Sequence, residues 1–449
     1  MNSIGDKKGI KLSEVQILAL GFAILIFLGG CLLTLPISSA SGEATNFLDA
    51  LFTSTSATCV TGLVTLDTGT HWSVFGQVII MTLIEIGGLG FMSFATFIAV
   101  IVGRKITLKN RLLVQEAMNT FTIQGLVKMV KKVMLFAFVI QLTGAAILST
   151  QLVPEFGAAK GIYYSVFSSI STFCNAGFDL FGNFNSYTGY YDNSIILLTA
   201  SSLIVIGGLG FVVLLELYGF KKEKKLSLHT KVVLLITTIL IVGGTLSMLI
   251  LEYNNTETLA NMNFKDKLVN SIVASISPRT AGINSISTDG MTTAGKFLTI
   301  LLMFIGGSPG STAGGLKTST FGIVICTAIS VIRGREDVEI FQRKIAKELV
   351  YKAFTLLMLG MGLVMGVTML LTITEAGGEF LSLLYEATSA FGTVGLSMGV
   401  TPGLSNPGKM IIITLMYLGR VGPLTVVMAL LNNKKSSPYK YPEGKILIG

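Results

Sequence analysis

Charge is scarce in this chain. Of its 449 residues, 13% are Asp, Glu, Lys or Arg, against roughly 25% in a soluble domain. A water-soluble fold of this length would have too little charge to cover its surface. Disorder is excluded as well, because disordered segments are poor in apolar residues and 51% of this chain is hydrophobic. Histidine is almost missing: only His71 and His229 occur, far apart and expected to be solvated. With no HExxH or GxSxG string, a membrane-embedded hydrolase would have neither a nucleophile with its base nor a metal cluster. No enzyme is expected. The four cysteines, Cys31, Cys59, Cys174 and Cys326, show no metal-ligand spacing and no disulfide framework. An integral membrane protein remains. Glycine, by contrast, is abundant at 50 residues, which points to close helix contacts and irregular backbone inside the protein.

A spanning helix needs about 20 mostly apolar residues. Such stretches run over 15–35, 74–102, 129–153, 194–219, 230–251, 297–332, 349–373 and 408–431, which predicts eight spans. The sequence after the first, Pro36 to Ala40, imitates a signal-peptide cleavage site, but the apolar run is longer than a signal core of about 7–15 residues. Between the members of each pair lies a shorter apolar segment, at 47–62, 161–177, 266–282 and 380–395. Each is too short to span and too apolar for a loop, so a re-entrant half-helix is predicted.

These short segments are alike. They end in CVTGL, CNAGF, RTAGI and GTVGL, with the glycine at 62, 177, 282 and 395. A serine stands six places earlier in three copies (Ser56, Ser171, Ser389) and five places earlier in the third (Ser277). The following helix also repeats: GGLGF at 87–91 and 207–211, GGSPGSTAGG from Gly306, and GRVGP from Gly419. Two signatures in the same order four times predict four units of helix, re-entrant loop, helix. Their expected bounds are 14–104, 126–220, 228–333 and 347–432, with a C-terminal tail at 433–449. The fold class is therefore all-α membrane protein, with eight transmembrane helices around a central pseudo-fourfold pore.

Charge placement sets the orientation. The side holding the termini and the inter-repeat links carries 25 basic and 9 acidic residues, the re-entrant side 6 and 13. The positive-inside rule then puts both termini in the cytoplasm. The net charge of +9 needs no nucleic acid to explain it. The basic links at 103–132 and 221–231 are candidate docking surfaces for a partner or for lipid headgroups.

The loop tips Val60-Thr61-Gly62, Asn175-Ala176-Gly177, Thr280-Ala281-Gly282 and Thr393-Val394-Gly395 carry no ring of carboxylates. Backbone carbonyls are then the available ligands, and rings of carbonyls can replace the hydration shell of a monovalent cation. A hard divalent ion would favour carboxylates, and an anion pore would want basic rings, whereas only Arg279 is near. A monovalent cation passing through the filter is expected, with no covalent cofactor.

Two features below the filter read as a gate. The sixth span is interrupted by Gly306, Gly307, Pro309, Gly310, Ser311, Thr312, Gly314 and Gly315, where helix would be costly. Its GSTAGGLKT string fails the P-loop pattern, because Leu316 separates the glycine from Lys317. Arg420 sits within the last span, where a charge is functional by default. Either it caps helix carbonyls or it opposes a passing cation. Glu85 is one candidate partner for it, and Lys317 either assists it or snorkels. An alternating-access carrier is disfavoured, since that class usually shows inverted repeats and these keep one orientation.

With its four loop signatures, the paired IGGLGF, SPGSTAGGLKT and YLGRVGP, the chain resembles the membrane subunits of the Trk/Ktr/HKT superfamily of cation transporters. The likeness is strongest to the bacterial Ktr type (KtrB/KtrD) and covers nearly the whole chain. In that family a glycine in all four loops goes with K+ selectivity, and the family sets the last-helix arginine beside the broken-helix loop as part of the gate. Pro278 departs from the Thr or Ser expected in the third loop. The resemblance implies a homodimer in the bacterial plasma membrane, each chain enclosing its own pore. It further implies a cytosolic octameric ring of RCK-type (KtrA/KtrC-like) subunits, which would hold ATP or ADP and cyclic di-AMP, and leaves Na+ as a candidate activator.

Overall fold

The computed structural model describes residues 13–102, 106, 111–115 and 125–422. The N-terminal tail, most of the 103–124 link, the expected end of the last unit and the 433–449 tail lie outside the described residues.

Helices dominate. In chain order they are α1 (Glu14–Thr34), α2 (Phe47–Cys59), α3 (Val74–Leu89), α4 (Phe91–Ile101), α5 (Leu126–Phe156), α6 (Ala158–Phe173), α7 (Ser194–Gly208) and α8 (Phe211–Glu223). There follow α9 (Leu228–Glu252), α10 (Phe264–Ile276), α11 (Thr293–Phe304), α12 (Thr318–Ile332), α13 (Lys347–Thr374), α14 (Phe380–Gly392) and α15 (Asn406–Val421). A small hairpin of β1 (Glu339–Ile340) and β2 (Arg343–Lys344) joins α12 to α13, an exception to the all-helical expectation. Its turn places Phe341 and Gln342 at positive φ.

Caps explain where the helices begin. Ser13, Asn46, Ser73, Asn193, Ser227, Asn263, Thr292 and Ser405 each accept a first-turn N–H through the side chain, which satisfies a donor that has no intrahelical partner.

Four helices, over Gln16–Thr34, Leu126–Phe156, Leu228–Glu252 and Lys347–Thr374, are long and apolar enough to cross a bilayer. Two bent helix pairs are long and apolar enough when each is taken together. The α3/α4 pair turns by 97° and the α7/α8 pair by 98°. Gly90 and Gly210 sit at the bends with φ of +82° and +93°, a conformation in which a side chain is strained. The apolar stretches at 74–102 and 194–219, expected as spans, are each built as helix, glycine corner, helix. The break is not confined to 306–315, and α15 too ends on a positive-φ glycine, Gly422.

The 13-residue helices α2, α10 and α14 and the 16-residue α6 rise only about 20–24 Å, less than the roughly 30 Å of a hydrocarbon core. Each packs on the long helix before it and on the helix after it. Each also meets one helix of a neighbouring unit: α6 on α3, α10 on α7, α14 on α11, and α2 back on α15. The circle closes between the two ends of the chain.

Glycine and serine set the closeness of these contacts. The Ser54 hydroxyl donates to the Ile26 carbonyl on α1 at 2.7 Å, Ser169 to Gln141 on α5 at 2.6 Å, and Ser275 to Ile241 on α9 at 2.9 Å. The long helices answer with Gly29, Gly144 and Gly244, where a Cβ would fall 2.4–2.7 Å from those hydroxyls. On the other flank, a Cβ at Gly87, Gly207 or Gly419 would lie 2.0–2.1 Å from the Thr58, Phe173 or Phe391 carbonyl at the foot of a short helix. Gly419→Ala is therefore expected to lower the melting temperature of the purified protein by several degrees, an overpacking cost of about 1–3 kcal/mol. Gly243→Ala, with open space around it, should leave the melting curve in place.

Candidate functional site

Each short helix leads into a loop with one non-glycine residue at positive φ, at the cap of α2 and α14, one residue beyond the cap of α6 and three beyond that of α10. These residues are Val60 (φ +59°), Asn175 (+60°), Thr280 (+75°) and Thr393 (+49°). In three copies the next N–H reaches back to a serine carbonyl: Thr61 to Ser56 at 2.8 Å, Ala176 to Ser171 at 2.7 Å and Val394 to Ser389 at 2.9 Å. That six-to-one bond is the Schellman closure of a helix end. In the third copy Ala281 reaches Ser277 at 2.9 Å, one residue nearer in sequence. The third loop is thus one residue shorter, and the displaced serine is explained: the Ser277 hydroxyl donates to the Ile283 carbonyl as Ser171 does to Phe178. Ser56 and Ser389 instead accept the N–H of Gly62 and Gly395 at 3.0 and 3.1 Å. Pro278 stands in this shortened turn.

Two residues further on come the four glycines, all at positive φ: Gly62 (+92°), Gly177 (+71°), Gly282 (+71°) and Gly395 (+97°). A Cβ on Gly62 would lie 2.5 Å from the Ala176 carbonyl oxygen, one on Gly177 2.9 Å from that of Ala281, one on Gly282 2.2 Å from that of Val394, and one on Gly395 2.2 Å from that of Thr61. The series returns to its start. Four stretches of one chain therefore form a closed ring of backbone, each glycine against the next loop's carbonyl. Asn175 and Thr280 add a side-chain contact of 3.2 Å between the second and third loops.

The interrupted helix lies against the helix-side face of this ring. A Cβ on Gly314 would meet the Thr393 hydroxyl at 2.2 Å, and one on Gly315 the Gly392 Cα at 3.1 Å. Gly306 comes near Thr280, and the Thr312 hydroxyl reaches the Phe173 carbonyl at 3.4 Å. The loop is closed on itself by Gly306 N–H to Leu316 O (2.8 Å) and Thr318 N–H to Gly307 O (3.0 Å). The α7/α8 corner holds it too, with Ser308 N–H on Gly208 O at 2.9 Å and Phe211 N–H on Gly310 O at 2.8 Å. The Ser311 hydroxyl donates to Ser308 O at 2.7 Å.

Arg420 and Lys317 both turn into this region. The Arg420 guanidinium donates to the Thr312 carbonyl of the loop and to Gly87 and Gly88 at the end of α3, the last at 3.2 Å. It therefore caps helix carbonyls and fastens the loop at once. Lys317 donates to Ala313 O at 2.5 Å and lies 3.5 Å from Gly314 O, so its head is folded into the loop and does not snorkel. Glu85 is not the partner of Arg420. Its carboxylate accepts from Gln141 at 2.9 Å and from the Cys174 thiol at 3.3 Å.

Beyond the ring, on the face opposite the loop, is a cavity of about 160 Å³ lined by all four glycines and by Asp67 and Asp179. Burial pushes the Asp179 carboxyl up to about 7; Asp67 adds to the rise and the Phe181 N–H works against it. His71 is half-buried, not solvated, and bonds Thr45 at 3.0 Å. Burial lowers its pKa, with Asp49 opposing. His229 is half-buried as well. Asp49 pairs with Lys409 at 2.6 Å, and Glu386 accepts from Ser397, Met398 and Thr401. Among the described residues no cluster of three or more His, Cys, Asp or Glu could hold a metal ion.

The four residues two places before the glycines were legible as loop-tip residues, but their positive φ was not, because Val and Thr do not announce that conformation. The helix-end serine at a fixed distance was the usable signal.

Residues 16–438 match the family model described as TrkH, cation transport protein. The chain belongs to this family. It is 47% identical to the potassium/sodium uptake protein NtpJ of Enterococcus hirae, over 98% of both chains. It is 44% identical to the Ktr system potassium uptake protein B of Bacillus subtilis, again over 98% of both, and 35% identical to the protein of that name from Vibrio alginolyticus, over 99% of this chain and 97% of that one. The crystal structure of the potassium transporter TrkH from Vibrio parahaemolyticus superposes with a TM-score of 0.71, covering 95% of this chain and 86% of that one at 17% identity. That structure shares the fold.

The ring geometry makes one substitution decisive. Gly62→Ser would set a Cβ against the Ala176 carbonyl at a φ that side chains rarely adopt. Competition between K+ and Na+ in uptake by the variant should show discrimination reduced several-fold, with protein still in the membrane. Unchanged competition would mean that Gly62 does not set the ion preference.

Proposed function

We propose that this chain is the K+-translocating, channel-like membrane subunit of a bacterial K+ uptake system. The observation that carries the reading is the closed ring of four left-handed glycine loops, which offers backbone carbonyls and no carboxylate at its tips. Carbonyl rings suit a weakly hydrated monovalent cation. The relatives named for potassium uptake, at up to 47% identity over 98% of this chain, support the choice of K+.

In this reading the chain is four units of helix, re-entrant helix and helix, with the bent pairs and the interrupted pair counted as crossings. The filter is Val60–Gly62, Asn175–Gly177, Thr280–Gly282 and Thr393–Gly395. The segment from Gly306 to Gly315, with Lys317 and Arg420, is the gate. Both termini face the cytoplasm of a bacterial cell. The name "Ktr system" borne by the Bacillus subtilis and Vibrio alginolyticus relatives supports a partner subunit. We read it as an RCK-type ring that carries the nucleotide and acts on a homodimer of this chain.

The test is K+ uptake by a bacterial strain without its own K+ uptake systems, expressing this chain with and without an RCK ring subunit. Rapid uptake at low external K+, increased by the ring, is expected. Membrane-inserted protein that moves no K+ in either case would overturn the proposal.

Arg420 has a separate outcome. An unpaired charge about 8 Å from the path opposes a cation by on the order of 2 kcal/mol at an effective dielectric of about 20. Its carbonyl partners reduce that value, and its removal also frees the loop. Arg420→Ala should raise maximal K+ flux while K+ over Na+ preference stays close to that of the parent. Deleting Gly310 to Gly315 should raise flux likewise. Folded, monodisperse Arg420→Ala with unchanged or lower flux would limit this side chain to a structural cap.

A further inference from the structure

The second loop of the ring is gripped from outside by a carboxylate. The residues just before the four positive-φ positions all differ: Cys59, Cys174, Arg279 and Gly392. Cys174, fully buried, donates its thiol to Glu85 Oε2 at 3.3 Å. The same oxygen accepts the Gln141 amide N–H at 2.9 Å. Glu85 is on α3, Gln141 on α5 and Cys174 at the cap of α6. Three helices therefore meet at one oxygen atom, across the boundary between the first two units. Glu85 is 9% exposed, and its Oε1 is buried without a hydrogen-bond partner.

The glycine corner nearby does not require this carboxylate. The sequence reads EIGGLGF at 85–91 and VIGGLGF at 205–211, so Val205 stands in the second copy where Glu85 stands in the first. Both copies bend, by 97° and 98°. A buried carboxylate is costly unless its hydrogen bonds offset the loss of water. Here one of those bonds goes to the chain that enters the ring.

The rest of the contact leaves Cys174 little room. Gly88 faces it from α3, and a Cβ there would lie 2.9 Å from both Cβ and Sγ of Cys174. The next residue, Asn175, takes the left-handed turn at φ +60°, and its side-chain amide meets Thr280 of the third loop at 3.2 Å. The carbonyl of Ala176 then faces Gly62. The place of the Cys174 side chain is thus passed through one turn to a carbonyl of the ring.

We infer that Glu85 is a positioning residue for the second loop: through the Cys174 thiol it fixes where Asn175 turns, and so sets part of the preference for K+ over Na+. The inference rests on the proposed K+ pathway and adds a residue outside the filter to it. The bonds need an acceptor oxygen and not a negative charge, since Oε2 takes both of them.

The test places Glu85→Ala, Glu85→Gln, Cys174→Ala and Cys174→Ser in the full chain and measures competition between K+ and Na+ for uptake. Glu85→Ala and Cys174→Ala should each lower K+ over Na+ preference several-fold. The double variant should fall no further than the lower of the two, because each single change removes the same bond. Glu85→Gln keeps an acceptor oxygen and Cys174→Ser keeps a donor, so both should hold the parent's preference. Preference equal to the parent's in folded Glu85→Ala, or effects that add in the double variant, would overturn the inference. Should Glu85→Ala not reach the membrane, Cys174→Ala decides in the same way. A second readout needs no transport. The S–H stretching band of Cys174, assigned by difference from Cys174→Ala, should move to higher frequency in Glu85→Ala and return in Glu85→Gln; an unmoved band rejects the grip. A parent that moves no K+ defeats the pathway and this inference together, whereas a K+-selective parent with an unchanged Glu85→Ala defeats this inference alone.

Discussion

The structure depends on one constraint: four helix ends must turn left-handed at the same place. A non-glycine residue in that conformation costs roughly 1–2 kcal/mol, and Val60, Asn175, Thr280 and Thr393 all adopt it. What holds them is the bond from the following N–H back to a serine carbonyl, made at 2.7–2.9 Å in every copy. Once the chain has turned, the next glycine comes so close to its neighbour's carbonyl that no Cβ fits. The ring exists because the turn is enforced four times, and each loop supplies the wall that the previous one leans on.

The same close approach governs the helices outside the ring. Serines on three short helices bond to long-helix carbonyls, and glycines on the long helices make room for them. This stacks small polar groups inside an apolar protein. The small-residue packing seen between membrane helices follows the same logic, since without a hydrophobic difference between lipid and side chain, contact and hydrogen bonding must supply the association. The interrupted helix meets one glycine corner directly and a second through Arg420 of α15. Arg420 bonds the end of α3 beside Gly90, and the loop itself bonds the α7/α8 corner at Gly210. A movement of this loop would therefore be felt at the corners of the first two units, which are neighbours in the ring.

Much of this was legible in the sequence. The short helices lie where their apolar length and terminal glycine put them, at Phe47–Cys59, Ala158–Phe173, Phe264–Ile276 and Phe380–Gly392. The irregular stretch from Gly306 to Gly315 was legible because several glycines and a proline cannot extend a helix cheaply. The corners at Gly90 and Gly210 were not, although GGLGF puts three glycines within four residues at each, because glycines in an apolar run also serve close packing between straight helices. The partner of Glu85 was equally hidden: Gln141 and Cys174 are 56 and 89 residues away. The shortened third loop shows a register shift of one residue that the serine spacing signalled but could not interpret.

That shortened loop has a wider meaning. In a ring built from four identical chains, any substitution appears four times, and its free-energy cost is multiplied by four. Here each quarter is encoded separately. The third loop has lost a residue and holds a proline and a buried arginine, Pro278 and Arg279, while the second places an amide, Asn175, at its turn. The ring bears each departure once. A single polypeptide can therefore let its quarters differ, the first two placing Asp67 and Asp179 at the mouth and the third carrying the interrupted helix, without surrendering the shared geometry at the centre.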